Sequence, residues 1–322
     1  MYNPKVSIVI PAYNASNYLA EAIDAALAQT YPNIEILVVN DGSKDDGATR
    51  AVALSYGDRI RYFEKENGGS SSALNVGIAN MTGEWFSWLS HDDLYYPEKV
   101  ERQVRFLSEL PEGEDKTAHV LFCASESIDK KGKVIIPSDP EKEKKTAAFL
   151  RDLSDNTWLI AEPTHHMFHG CGCFVHKSVF EKIGAFDEKL RLLNDVDLWF
   201  RIYAAGYKIG YLPDVLVQGR IHSKQVSRSI GFSYHNPEQD MYWARSLNWL
   251  RENGKDDYRL FVAYGCNAYL KTRNKEAQKA FAYAKQLYPR CALQLQIKKL
   301  YCVSYAKMRN LAKSIYLKLK MG

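Results

Sequence analysis

The chain has 322 residues, 46% of them hydrophobic and 25% charged, enough to bury a full core in one large domain with an appendage or in two domains. The opening MYNPKVSIVIPAYN lacks the layout of a signal peptide, and no apolar run reaches the roughly 18 residues that span a bilayer, so a cytoplasmic protein is expected. Net charge is +5 but unevenly spread: residues 1–110 hold 9 Lys/Arg against 15 Asp/Glu, and residues 241–322 hold 17 against 4.

The first hundred residues alternate short β-branched or aromatic runs (6–10, 34–39, 60–63, 85–89) with amphipathic stretches (17–29, 46–56, 70–80). Strand and helix in alternation predict a mainly parallel sheet covered on both faces, which binds its ligand at the carboxyl ends of the strands. The segments just after each strand are therefore the candidates: Pro11-Ala12-Tyr13-Asn14, Asn40-Asp41-Gly42-Ser43, Glu66-Asn67-Gly68-Gly69 and Ser90-His91-Asp92-Asp93. Residues 111–165 are more polar and read as surface hairpins and loops. A helix from Val179, the helical NDVDLWFRIYAAG (194–206) and the strand pair YKIGYL and VLVQGRIH follow. From about 236 the pattern is helical throughout, as four helices with Pro289 between the third and fourth; the 259–290 region loosely resembles one tetratricopeptide-like hairpin. Six cysteines without a C-x-x-C pair read as reduced thiols, mostly in the core.

A dinucleotide site would need a G-x-G-x-x-G loop after the first strand, and the loop here has no glycine. Asp41 is either a turn residue capping the next helix or an acceptor for a base or ribose flanked by Tyr13. Asp92 and Asp93 end an aromatic strand, so they either cap a helix or hold a divalent cation. Hard carboxylate oxygens suit magnesium or manganese carried with a substrate's phosphates. Asp195 and Asp197 cannot share a helix face, and Asp195 is an N-cap or a general base at the positive helix end.

Taken in order, VSIVIPAYN (6–14), VVNDGS (38–43), ENGGSSSALNVGI (66–78), WLSHDD (88–93), GAFDEKL (184–190), NDVDLW (194–199) and GRIHSKQVS (219–227) resemble the family 2 inverting glycosyltransferases of the GT-A fold. The resemblance implies an α/β, GT-A-type nucleotide-binding fold with a mainly parallel central sheet in residues 1–230, followed by an all-helical C-terminal region, 236–322. It assigns Pro11, Ala12, Tyr13, Asn14 and Asp41 to the base and ribose, and Asn67, Gly68, Gly69 and Asn75 to the diphosphate side. Asp92, beside Asp93, would hold Mn2+ or Mg2+ with His222; Asp195 would be the base that deprotonates the acceptor hydroxyl, and His165, His166 and His169 would line the acceptor side.

Three departures from the family pattern stand out. Ser90 replaces a carboxylate, Leu74 replaces an arginine, for which Lys44, Lys224 or Arg228 would have to compensate, and Asn194 replaces a glutamate, which should ease ionisation of Asp195. The implied reaction moves a sugar from a nucleotide-diphosphate donor, UDP-sugar favoured, to a glycan or lipid-linked glycan in envelope or capsule polysaccharide synthesis. The alternative is a catalytically impaired scaffold acting through its helices. Residues 291–322 hold seven basic residues and no acidic one, which suits an anionic membrane surface or packing on neighbouring helices or a second subunit; nucleic acid is not expected.

Overall fold

A computed structural model describes residues 2–161, 168–222, 225, 237–253, 257–270 and 274–321. The chain divides into two compact units, Met1–Ser154 with Phe168–Ile230, and Asp155–Met167 with Gly231–Gly322.

The first unit is built on a mixed sheet of β1 (Val6–Ala12), β2 (Ile34–Asn40), β3 (Arg61–Glu64), β4 (Trp85–Trp88), β5 (Leu94–Tyr95), β6 (His119–Ile128), β7 (Val134–Ile136), β8 (Phe174–His176) and β9 (Lys208–Arg220). Strand order is β3-β2-β1-β4-β8-β6-β9-β5, with β7 paired to β6 off this path. The β3-β2-β1-β4 half is parallel, β8 runs antiparallel between β4 and β6, and β9 lies parallel to β6. Every residue of β1 and β4 is buried, as a central strand covered on both faces requires.

Helices α1 (Leu19–Leu27), α2 (Ala48–Leu54) and α3 (Ser70–Asn80) fall close to their predicted spans. Helix α3 lies unusually close to the sheet at Gly77, where a Cβ would stand 2.2 Å from Val9 Cγ1. Beyond these come α4 (Lys99–Ser108), α5 (Pro140–Arg151), α7 (Lys177–Ile183) and α8 (Asn194–Ala204), with the short α6 (Thr157–Ala161) in the second unit.

The expectation of hairpins and loops over 111–165 holds for the antiparallel β6–β7 hairpin, whose β7 is exposed, and is corrected on either side of it. His119–Ile128 is a ten-residue strand inside the sheet, its first six residues buried, and Pro140–Arg151 is a helix. The charged flanks masked the apolar HVLFCA core of β6. For α5 the start signal was complete: Asp139 accepts from the N–H groups of Glu141 (3.1 Å) and Lys142 (3.3 Å), with Pro140 in the first turn. The two runs expected as a strand pair form the single β9, whose pairing with β6 jumps from Leu212 to Val215, so Pro213 sits at the irregularity where it need not donate to the ladder.

The second unit contains α9 (Pro237–Asn253), α10 (Tyr258–Leu270), α11 (Asn274–Leu287) and α12 (Ala292–Met321), and α6 packs on α9 and α10. Its core includes Trp243, Leu250, Phe261 and Tyr264. Cys266 of α10 and Cys302 of α12 are disulfide-bonded, correcting the all-thiol expectation, whereas Cys123, Cys171 and Cys173 are buried and free. No helix among the described residues is long and apolar enough to cross a membrane.

At the edge opposite the ligand-binding ends of β1–β4, Glu35 ties four segments together. It accepts from Ser7 Oγ (2.5 Å), Arg61 Nη1 (2.8 Å) and the N–H groups of Thr82 (2.6 Å) and Gly83 (3.0 Å). Burial pushes its carboxyl up, but these donors outweigh burial and hold it at about 2. A depressed carboxylate contributes stability that is present above its unfolded value and lost as pH falls through the folded one. Glu35→Gln should therefore cost about 3 kcal/mol at neutral pH and remove the loss of stability between about pH 4.5 and 2. Urea unfolding across that range checks it, and a variant curve parallel to wild type would exclude this role.

Candidate active site

The loops after β1 and β2 are stitched together at the carboxyl ends of the strands. Asn14 adopts φ +48°, its N–H donates to Ser43 Oγ (2.9 Å), and its Oδ1 accepts from the Lys44 N–H (2.7 Å). Pro11 and Ala12 are buried as the last residues of β1, and Tyr13 stands 40% exposed beside them, open to a planar ring. Asp41 is buried and fully engaged. Its two oxygens accept from Lys65 Nζ (2.9 Å), Gly68 N (2.9 Å), Gly69 N (2.7 Å) and Asn67 Nδ2 (3.1 Å). The carboxylate thus folds the Asn67–Gly69 loop onto the end of β2, which leaves it as an organiser of this rim.

Gly69, at φ +91°, leads into α3, whose N-terminus has no side-chain cap. Arg191 lies so close that a Cβ on Gly69 would stand 2.1 Å from its Nη1, and the Lys65 ammonium lies 2.8 Å from the corresponding point on Gly68. Two cations therefore border the uncapped N–H groups of α3, an arrangement suited to phosphate oxygens. Sequence reasoning looked for the missing cation at Lys44, Lys224 or Arg228; Lys224 and Arg228 lie outside the described residues, and the structure brings Lys65 and Arg191 to this loop. Leu74 is fully buried.

Asn75, expected on the diphosphate side, spends its amide on the segment before α8. Its Nδ2 donates to Phe186 O and Glu188 Oε1 (both 2.9 Å) and its Oδ1 accepts from Phe186 N (2.9 Å). With Ser71 Oγ donating to Leu190 O (3.1 Å) and Asn194 Nδ2 to Ser70 Oγ (3.2 Å), α3 holds the segment that leads into α8.

Asp92 and His222 come together at the ends of β4 and β9, with Nε2 2.9 Å from Oδ2; Gln225 Nε2 donates to the same oxygen at 3.4 Å. Burial pushes the Asp92 carboxyl up, but His91 and the His222 contact outweigh it and hold it below the usual range. An ionised carboxylate beside an imidazole is an oxygen and nitrogen donor set that fits Mn2+ or Mg2+.

Asp93 is not part of that set. It is buried, its Oδ1 accepts from the Arg220 N–H (2.8 Å), and its Oδ2 accepts from Cys171 Sγ (3.2 Å) and stands 3.9 Å from His169 Nε2. Burial, reinforced by the charge of Asp92, raises its carboxyl. The two acids sit in the turn between β4 and β5, where Asp93 is held by the Arg220 N–H and Cys171 while Asp92 faces His222. Asp93, His169 and Cys171 do bring ligand-type atoms within 4.8 Å of one another. The thiol makes that trio a softer set than Mn2+ or Mg2+ prefers.

Arg220 joins these parts. It is 2% exposed, donates from Nε to Asp92 O (2.8 Å), from Nη1 to Lys130 O (3.2 Å), and from Nη2 to Glu21 Oε2 (2.7 Å), and lies 4.5 Å over the Tyr18 ring. The Arg-x-His spacing was the signal for it, though only the histidine was singled out.

Asp195 lies in the first turn of α8, whose N-cap is Leu193, so it is not the capping residue. Its Oδ1 accepts from Val196 N (2.7 Å), and its own N–H donates to Asn194 Oδ1 (2.9 Å). Burial raises its carboxyl, against the lowering effects of the Val196 N–H and nearby His169. The eased ionisation expected from the Asn194 substitution is thus outweighed by burial. His169 lies near both Asp93 and Asp195; His165 and His166 lie outside the described residues.

Residues 7–184 match the family described as Glycosyl transferase family 2. The chain belongs to this family, and its sheet has the GT-A-like fold. It is 46% identical over 252 residues to an uncharacterized glycosyltransferase of Rickettsia felis, covering 78% of this chain but only 40% of that relative's length. In structure it resembles S. aureus TarS 1–349 in complex with UDP-GlcNAc (TM-score 0.62, 16% identity, 96% and 92% of the two chains). It also resembles the mannosyltransferase PcManGT from Pyrobaculum calidifontis in complex with GDP-Man and Mn2+ (TM-score 0.57, 20% identity, 97% and 88%).

Replacing Arg220 by Met leaves buried carbonyls without a donor and should cost about 3 kcal/mol or more. Chemical denaturation measures this; a loss under about 1 kcal/mol would mean that Arg220 does not hold the rim together.

Proposed function

We propose that the unit of residues 1–154 and 168–230, close to the expected 1–230, forms the catalytic domain of an inverting glycosyltransferase. It takes a sugar from a nucleotide-diphosphate donor, UDP-sugar favoured, to a hydroxyl of a glycan or lipid-linked glycan in envelope polysaccharide synthesis. The observation that carries this reading is the convergence of Asp92 and His222 on one rim with the Asp41-ordered loop. Tyr13 and the loop around Asn14 would seat the base, and Gly68, Gly69, Lys65 and Arg191 would face the diphosphate. The nucleotide sugars bound by TarS and PcManGT support the donor class, and the Mn2+ of the latter supports a divalent metal.

A divalent ion held by Asp92 and His222 would offset the negative charge that grows on the diphosphate. The chain's own residues do the rest. Asp195 accepts the proton of the acceptor hydroxyl, that oxygen bonds to the anomeric carbon, and the bond from that carbon to the diphosphate oxygen breaks on the opposite side. The Val196 N–H in the first turn of α8 favours the carboxylate form of Asp195 against the effect of burial. The presence of Lys65 and Arg191 beside the α3 N-terminus weakens the case for an impaired scaffold that Leu74 had raised.

Asp195→Asn should lower transfer at least about 100-fold while leaving UDP affinity within about threefold; wild-type transfer would remove Asp195 from the role. A base must be deprotonated to act, so kcat/KM of the wild type should fall on the acid side through a pKa above the ordinary 3.8 of an aspartate, in line with its raised carboxyl. A rate that stays flat down to pH 4 would contradict this.

A further inference from the structure

Among its described side chains, helix α12 packs on its neighbours by one face. Leu295 is 5% exposed, Lys299 Nζ donates to Gln278 Oε1 (2.5 Å), and Cys302 is bonded to Cys266. These three recur at spacings of four and three, which places them along one side of the helix. The large apolar residues sit on the other side: Leu293 (71% exposed), Ile297 (58%), Leu300 (60%), Tyr301 (71%), Tyr305 (47%) and Met308 (63%). Their spacing of four, three, one, four and three residues draws a continuous stripe, roughly half a turn from Leu295 and Cys302.

An amphipathic helix ordinarily turns its apolar stripe inward, so this one is inverted and needs a partner. Its chemistry indicates which. Residues 291–322 contain seven basic residues and no acidic one. Two copies meeting along this stripe would bring like charges together, whereas an anionic surface would find opposite charge and apolar depth in one element. Exposed Lys298 borders the stripe, and Tyr301 and Tyr305, with ring centroids 6.4 Å apart, present an apolar body and a polar tip, as side chains at a lipid boundary do. We propose that α12 lies along an anionic lipid surface, its Leu293–Met308 stripe in the acyl boundary and its lysines among the headgroups. This goes beyond the transferase reading and does not depend on it.

The test is flotation of the full chain with vesicles of phosphatidylcholine alone or mixed with phosphatidylglycerol. The expected result is at least about tenfold more protein bound to the mixed vesicles, loss of that binding at high salt, and its loss in Leu300→Glu and Tyr301→Glu. Both positions are 60% or more exposed, so the variants should keep the wild-type helical circular dichroism. Three results would overturn the proposal: no flotation with either vesicle, equal flotation with both, or a concentration-dependent dimer that the same two substitutions abolish.

Discussion

The guanidinium of Arg220 is the contact on which the site depends. A buried cation is tolerated only when its donors are used, and Arg220 uses them on the Asp92 carbonyl, the turn after β6 and Glu21 of α1, with Tyr18 beneath it. Its backbone N–H is given to Asp93 at the same time. One residue at the end of β9 thus fixes the turn between β4 and β5 from two directions. With Asp93 turned inward, Asp92 is left on the rim facing His222, two residues beyond the arginine. The paired acids therefore divide the work: one anchors, the other is presented.

A second organising centre lies on the other side of the rim. Asp41 gathers Lys65, Asn67, Gly68 and Gly69, and the loop so formed runs directly into α3, whose side chains hold the segment leading to Asp195. The Asp41-ordered loop and the Asp195 segment therefore share one helix. A change at Ser70 or Asn75 would disturb the loop before α3 and the segment before α8 together. His169, near Asp93 and Asp195 alike, closes the circuit on the remaining side.

Much of this was legible in the sequence, for identifiable reasons. The β1–β4 and α1–α3 pattern could be read because strand and helix periods differ sharply there and the turn residues mark each carboxyl end. The Asp92–His222 pairing followed from the order of motifs. What could not be read was orientation. Nothing in Asp92-Asp93 says which acid turns inward, because that is decided by a residue 127 positions away. The motif position of Asn75 gave its proximity to the loop but not its amide's bonds to Phe186 and Glu188. Strand β6 was missed because charged neighbours diluted its apolar run, and Arg191 because its closeness to Gly69 is a product of the fold that no motif marks. The Cys266–Cys302 bond joins two helices whose packing no spacing rule specifies.

The central claim is that Asp92, set in place by Arg220 and paired with His222, forms a centre for a metal and a nucleotide diphosphate. Calorimetric titration of UDP with and without Mn2+, in the wild type and in Asp92→Asn, tests it most directly. The account predicts that Mn2+ tightens UDP binding at least about tenfold in the wild type and that Asp92→Asn loses this gain while still folding. Equal affinity with and without the metal in the wild type, or an undiminished gain in the variant, would contradict it.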